Sequence, residues 1–204
     1  MLAQLFSPPF QKTKIAALSL SLLILAGGLW FGSALNHPPL PNYGQTPDFT
    51  LTERNGHVLT LHDLLGKVWV ADFIFTRCGG QCPIMSKQMS SLHLELARIG
   101  YLKKKFKNVL FVSFTVDPEY DTPSILADYA KGYNANPDRW FFLTGKRDML
   151  DTVSTGFKMS PLGDPMNHST RFILMDKDAN IRGYYDGTNA EAMEKLKEDI
   201  SRLL

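Results

Sequence analysis

The stretch VWVADFIFTRCGGQCP, Val68 to Pro83, decides how the rest of this 204-residue chain is read. Its first eight residues are apolar and rich in β-branched and aromatic side chains except at Asp72, the pattern of a central strand covered on both faces. The strand runs into Cys78-Gly79-Gly80-Gln81-Cys82-Pro83, which holds the only two cysteines of the chain. Pro83 suits the first turn of a helix. Both thiols therefore fall at a strand-to-helix junction, where unsatisfied N–H groups and the helix dipole favour thiolate over thiol, and both are expected to be reactive. Gly79 and Gly80 are expected to let the backbone fold so that the two sulfurs point the same way. A carboxylate in such a strand must be paired, protonated or near the strand's open end, so Asp72 reads either as a tuner of the cysteines or as a residue at a polar rim.

Downstream, Met85, Met89, Leu92, Leu96 and Ile99 recur at helical spacing, with Gly100 expected to close the helix and His93 expected to be exposed on its flank. Lys103, Lys104, Lys105 and Lys107 read as a solvated helix end, with a docking patch for an acidic partner as the alternative. Val109 to Val116 is a second buried strand, and Thr122-Pro123 opens a helix through about Tyr133. Asp117, Glu119 and Asp121 read as turn and capping residues. Trp140 to Leu143 is a third strand and Lys146 to about Phe157 a third helix. An irregular stretch, Lys158 to Asn167, leads to His168. Arg171 to Met175 and Asn180 to Tyr185 then form a hairpin, and Thr188 with Glu191 makes a capping box for a last helix.

Upstream of Val68, the runs Asp48 to Thr52 and His57 to Leu61 flank the turn signal Asn55-Gly56 and predict a β-hairpin. Thr60 to Leu65 reads as a helical turn ended by Gly66. The Pro-rich residues 36–46 read as a semi-rigid linker. Ile15 to Leu35 is uncharged, and as a helix would be roughly 30 Å long, enough to cross a bilayer. Lys12 and Lys14 precede it and no charge follows before Asp48, so residues 1–14 are placed in the cytoplasm and everything after residue 36 outside. The domains are then a tail (1–14), an anchor (15–35), a linker (36–46) and a folded domain (47–204). A single-pass protein of the bacterial inner membrane with its domain in the periplasm is the simplest reading, and a cleaved signal peptide is the competing one. The net charge of +2 implies no nucleic-acid partner. The element order predicts an α/β fold, a central mixed sheet with helices on both faces and an added N-terminal hairpin. Ligands of such sheets gather at the carboxyl ends of the parallel strands, where Cys78 lies.

As a structural staple the cysteine pair is poor, because closing so short a loop removes little unfolded-state entropy. Three intervening residues, where disulfide oxidoreductases usually have two, leave room for an ion between the sulfurs. Two thiolates bind a soft ion incompletely, and His168, preceding a strand on the expected side of the sheet, is the candidate third ligand. Two thiolates and an imidazole suit copper as Cu(I) or Cu(II). Zinc accepts the same donors and is not excluded, with Asp117, Met166 or water as a fourth ligand.

These residues resemble the SCO/SenC family, membrane-anchored thioredoxin-fold copper proteins involved in assembling cytochrome c oxidase. The resemblance covers about residues 45 to 204. It is carried by Cys78 to Pro83, by the acidic, proline-bounded loop Asp117-Pro118-Glu119-Tyr120-Asp121-Thr122-Pro123, and by His168. Many members have an acidic residue before the histidine, where this chain has Asn167. The resemblance implies copper held by Cys78, Cys82 and His168, and a metallochaperone role toward the dinuclear copper site of cytochrome oxidase subunit II, with other copper chaperones or thiol reductants as further partners. A thiol-disulfide oxidoreductase or thiol peroxidase using Cys78 and Cys82 without metal is the alternative. A copper or redox sensor is a third reading.

Overall fold

The computed structural model describes residues 38–102, 104–159 and 170–204. The expected tail and anchor, Lys103 and the loop carrying His168 lie outside the described residues. Among those described, no helix is long and apolar enough to cross a membrane. Leu40–Leu204 forms one compact unit. It contains both hydrophobic cores described below, so it has what a domain needs to fold on its own.

The hairpin of β1 (Thr50–Glu53) and β2 (Val58–Thr60) is followed by a 3₁₀ turn, Leu61–Leu64, and by β3 (Trp69–Ile74). Helix α1 (Gln81–Leu102) and a second 3₁₀ turn, Lys104–Asn108, lead to β4 (Leu110–Thr115). Then come α2 (Pro123–Gly132), β5 (Trp140–Thr144), α3 (Arg147–Gly156), β6 (Arg171–Met175), β7 (Ile181–Asp186) and α4 (Ala190–Leu203). The strands form one mixed sheet in the order β2-β1-β5-β4-β3-β6-β7. Strands β3, β4 and β5 are parallel neighbours, and the two hairpins add the antiparallel edges.

Alternation along β3 divides the core. Val70 and Ile74 join Met85, Met89, Leu92 and Leu96 of α1, Leu126 of α2 and Leu196 of α4 on one face. Trp69, Ala71 and Phe73 join Phe49, Leu51, Leu150 and Phe157 on the other. Within the stretch read as linker, Leu40 to Thr46 lies along β7. Tyr43 N–H donates to Ile181 O at 2.9 Å, Ile181 N–H to Gly44 O at 2.8 Å and Thr46 N–H to Ala179 O at 2.9 Å. Tyr43 and Tyr184 meet edge to face at 5.4 Å.

Three local expectations are corrected. Gly100 does not end α1, which runs on to Leu102. A Cβ at Gly100 would lie 3.1 Å from Lys107 N, so this glycine lets the lysine-bearing 3₁₀ turn approach the helix. The last helix is capped by Asn189, whose side chain accepts from Ala192 N–H, while Thr188 bonds to Asp186 instead. His93 is buried, 2% exposed, packed edge-on against Phe111 and tilted against Trp140.

Neither ring nitrogen of His93 has a hydrogen-bond partner among the described residues. Burial, with the nearby Arg139 charge, lowers its pKa to about 4. The native state therefore needs a neutral imidazole. Below about pH 6.5 the unfolded chain takes up a proton that the native chain refuses until about pH 4, so this residue's contribution to stability falls across that window and is flat outside it. Relative to His93→Leu, wild type should lose on the order of 3 kcal/mol between pH 7 and pH 4, measured by urea denaturation. Parallel pH profiles for the two proteins would contradict the burial of a neutral imidazole.

Candidate metal centre

Cys78 and Cys82 lie at the carboxyl end of β3 and carry free thiols. Cys78 follows the strand, with its N–H bonded to Phe75 O at 3.2 Å, and is partly exposed. Cys82, the second residue of α1, is 2% exposed. Pro83 falls in the first turn, where its missing N–H leaves no bond unmade. Gly79 and Gly80 do not have positive φ, and a Cβ on either would meet nothing within 4 Å. Their expected conformational freedom is thus not used. Their bareness leaves the space over the loop open.

The two thiols are not equivalent, contrary to the expectation that both are activated. Burial pushes the Cys78 thiol up, but the N–H groups of Cys82 and Gly80, the Cys82 thiol and the Gln81 N–H outweigh it and bring Cys78 below its ordinary value. Its sulfur is the one that faces the helix N-terminus. Cys82 is pushed up to about 12, first by burial, then by the hydrogen bond it donates to Cys78 and by the charges of Cys78 and Asp72, against a bond from Phe75 N–H.

Asp72 lies beneath α1, 1% exposed. Ser113 Oγ donates to its Oδ1 at 2.6 Å, and Trp140 Nε1 donates to Ser113 Oγ at 3.0 Å. Burial raises its pKa to about 7 despite the Ser113 bond. Of the two readings of Asp72, the rim is excluded. Its charge acts on Cys82.

The acidic loop after β4 does more than turn the chain. Asp121 is fully buried. Its carboxylate accepts from Thr76 Oγ1 at 2.5 Å, from Thr76 N–H at 3.2 Å and from Thr115 Oγ1 at 2.6 Å. Asp117 takes Arg77 Nη2 at 2.6 Å, and the Arg77 guanidinium sits 4.2 Å from the centre of the Tyr120 ring. Glu119 is bound by Arg147 through two nitrogens. Thr76 and Arg77 immediately precede Cys78, so this loop clamps the segment that presents the thiol. The signal in the sequence is topological: parallel neighbours end at one level, so the loops after β3 and β4 must touch.

Among the described residues, no cluster of three or more His, Cys, Asp or Glu side chains is placed to hold a metal ion. His168, the expected third ligand, lies outside them. The donor chemistry present, two adjacent thiols with one already biased to thiolate, fits a soft ion.

A mixed sheet of this order with a cysteine pair at the strand-to-helix junction defines a thioredoxin-like dithiol protein. The SCO1/SenC family model matches residues 40–204, and the chain belongs to that family. It is 31% identical over 195 residues to the SCO1 protein homolog of Bacillus subtilis, covering 93% of this chain and 94% of that one. BsSco, a member of the Sco family of cytochrome c oxidase assembly proteins in which a disulfide switch was identified, is 28% identical with a TM-score of 0.66, over 80% of this chain and 96% of that one. Bradyrhizobium japonicum ScoI, whose structure has copper bound, is 26% identical with a TM-score of 0.62, over 78% of this chain and 99% of that one.

Two outcomes test this geometry. Iodoacetamide at pH 7.5 should label Cys78 roughly tenfold or more faster than Cys82 in the reduced protein, read by mass spectrometry of the peptides; equal rates would contradict the asymmetry. Asp121→Ala, which strips the half-buried Thr76 N–H and hydroxyl and the buried Thr115 hydroxyl of their acceptor, should cost about 3 kcal/mol in urea denaturation, whereas Asp117→Ala at its exposed ion pair should cost about 1 kcal/mol or less.

Proposed function

We propose that this chain is a copper metallochaperone that loads, or keeps reduced, the dinuclear copper site of cytochrome c oxidase subunit II. The observation that carries this reading is the free, hydrogen-bonded thiol pair of Cys78 and Cys82 at the mouth of a fold whose relative ScoI has copper bound. Cys78 and Cys82 are the thiolate ligands and His168 the imidazole. The thiolates favour Cu(I), and the nitrogen makes Cu(II) tolerable. Because Cys82 must lose a thiol proton held up to about 12, metal loading is coupled to proton release. Residues 15–35 anchor the protein in the inner membrane, with residues 1–14 in the cytoplasm and the copper domain in the periplasm.

A second reading is favoured by the split in thiol acidity, the arrangement of an attacking and a resolving cysteine. The Cys78 thiolate attacks a target disulfide and releases one target thiolate. Cys82 then gives up its proton and attacks the Cys78 sulfur, releasing the second. The products are a Cys78–Cys82 disulfide and a reduced target dithiol.

Copper titration of the reduced protein followed by absorption spectroscopy separates the two. Wild type should bind one equivalent of copper, Cys78→Ser and Cys82→Ser should each lose the thiolate-to-Cu(II) charge-transfer band, and His168→Ala should weaken Cu(II) binding about tenfold or more while leaving thiol-disulfide exchange intact. No copper binding by a wild-type protein that still reduces a disulfide would leave only the second reading. An unchanged Cu(II) spectrum in His168→Ala would remove His168 from the ligand set.

A further inference from the structure

We infer, on the thiol chemistry proposed above, that Gly79 and Gly80 are specificity-determining residues: their bare main chain is the surface across which an extended, cysteine-bearing polypeptide segment lies while its sulfur joins Cys78. The fold itself gives no reason for glycine at either position. Neither has positive φ, and among the described residues a Cβ on either meets nothing within 4 Å. Both are exposed. Alanine would therefore fit the native loop and, by narrowing the unfolded ensemble, would leave the domain no less stable. What glycine supplies, beyond a freedom the loop does not use, is a main chain that another main chain can approach closely.

Sulfur chemistry sets how close that approach must be. In thiol-disulfide exchange the Cys78 thiolate bonds to one partner sulfur as the partner's S–S bond breaks and its other sulfur leaves as thiolate. Disulfide geometry then holds the partner's cysteine Cα roughly 4.4–6.8 Å from that of Cys78, a range that includes the spacing of neighbouring strands. Successive Cα atoms are about 3.8 Å apart, so the partner residues beside that cysteine come over Arg77 and Gly79. A side chain standing up at either position would occupy the space they need.

Both neighbours of Cys78 are cleared. The Arg77 side chain is drawn to the loop after β4, with Nη2 2.6 Å from Asp117 Oδ2 and its guanidinium 4.2 Å from the centre of the Tyr120 ring. Gly79 has no side chain to move. Beyond Gly80 the exposed surface continues along the first turn of α1, where Gln81 and Ile84 share one face and Ile84 is 51% exposed. The charges at the rim are paired, Arg77 with Asp117 and Arg147 with Glu119. The loop thus offers a partner main chain and apolar side chain in place of net charge, which suits an extended segment held by backbone contact.

The test compares the rates at which the reduced protein reduces a peptide carrying a two-cysteine disulfide and the small hydroxyethyl disulfide, both followed by mass spectrometry. Taking the ratio of the two rates cancels any effect on the Cys78 thiol itself. Gly79→Leu and Gly80→Leu should each lower the ratio of peptide rate to small-disulfide rate about tenfold or more, and Gly79→Ala by less, with urea midpoints no lower than wild type. A constant or rising ratio in either leucine variant, including one in which both rates fall together, would give the glycines a role inside the loop and overturn the inference. A lowered urea midpoint would assign the space to another part of this chain and overturn it as well. A fragment of cytochrome c oxidase subunit II with its copper-site cysteines oxidised is assayed alongside. If wild type leaves that fragment oxidised while reducing the peptide, the proposed target fails and the ratio measured on the peptide still decides the role of the glycines.

Discussion

The Asp121 carboxylate is the constraint on which the presentation of the thiols depends. Buried and bonded to the backbone and hydroxyl of Thr76 and to the hydroxyl of Thr115, it ties the ends of two parallel strands into one unit. The register that pairs Ile74 with Thr115 brings the two threonines within reach of one acid. From that fixed point the chain has only Arg77 to cross before Cys78, and Arg77 is itself drawn to Asp117 and Tyr120. Cys78 then arrives over the first turn of α1, where several N–H groups converge on its sulfur, while Cys82 faces inward toward Asp72. The difference in acidity between the two thiols is thus a product of position, imposed by a clamp that touches neither sulfur.

Much of this architecture was legible in the residues because it follows from periodicity and turn chemistry. The apolar run before Cys78, the helical stripe from Met85 to Ile99, the Thr122-Pro123 cap and the Asn55-Gly56 hairpin each specify an element by local rules. What escaped was set by neighbours distant in sequence. His93 lies beside the apolar stripe of α1, and a helical pattern does not reveal that Trp140 and Phe111 close over that flank. Gly100 has the composition of a helix end, but the approach of Lys107 explains it. Asp117 and Asp121 have the composition of turn residues, and only the adjacency of the β3 and β4 loops turns them into a clamp. Both cysteines share a helix N-terminus, yet the N–H groups gather on Cys78 while deeper burial raises Cys82. Cys78 and Cys82 are legible as a pair because rarity and spacing single them out; His168 has no such local pattern, its candidacy rests on topology and resemblance, and it lies outside the described residues.

The segment Leu40 to Thr46 bears on how the edge of the sheet is protected. Strand β7 ends the sheet, and an uncovered last strand offers its N–H and C=O groups to any passing chain. Here Tyr43, Gly44 and Thr46 occupy the lower part of that edge, so the polypeptide that leads into the domain also shields it. A version trimmed back to Asp48 would keep both cores and the cysteine loop but bare this rim, turning a terminal strand into a template for intermolecular sheet growth.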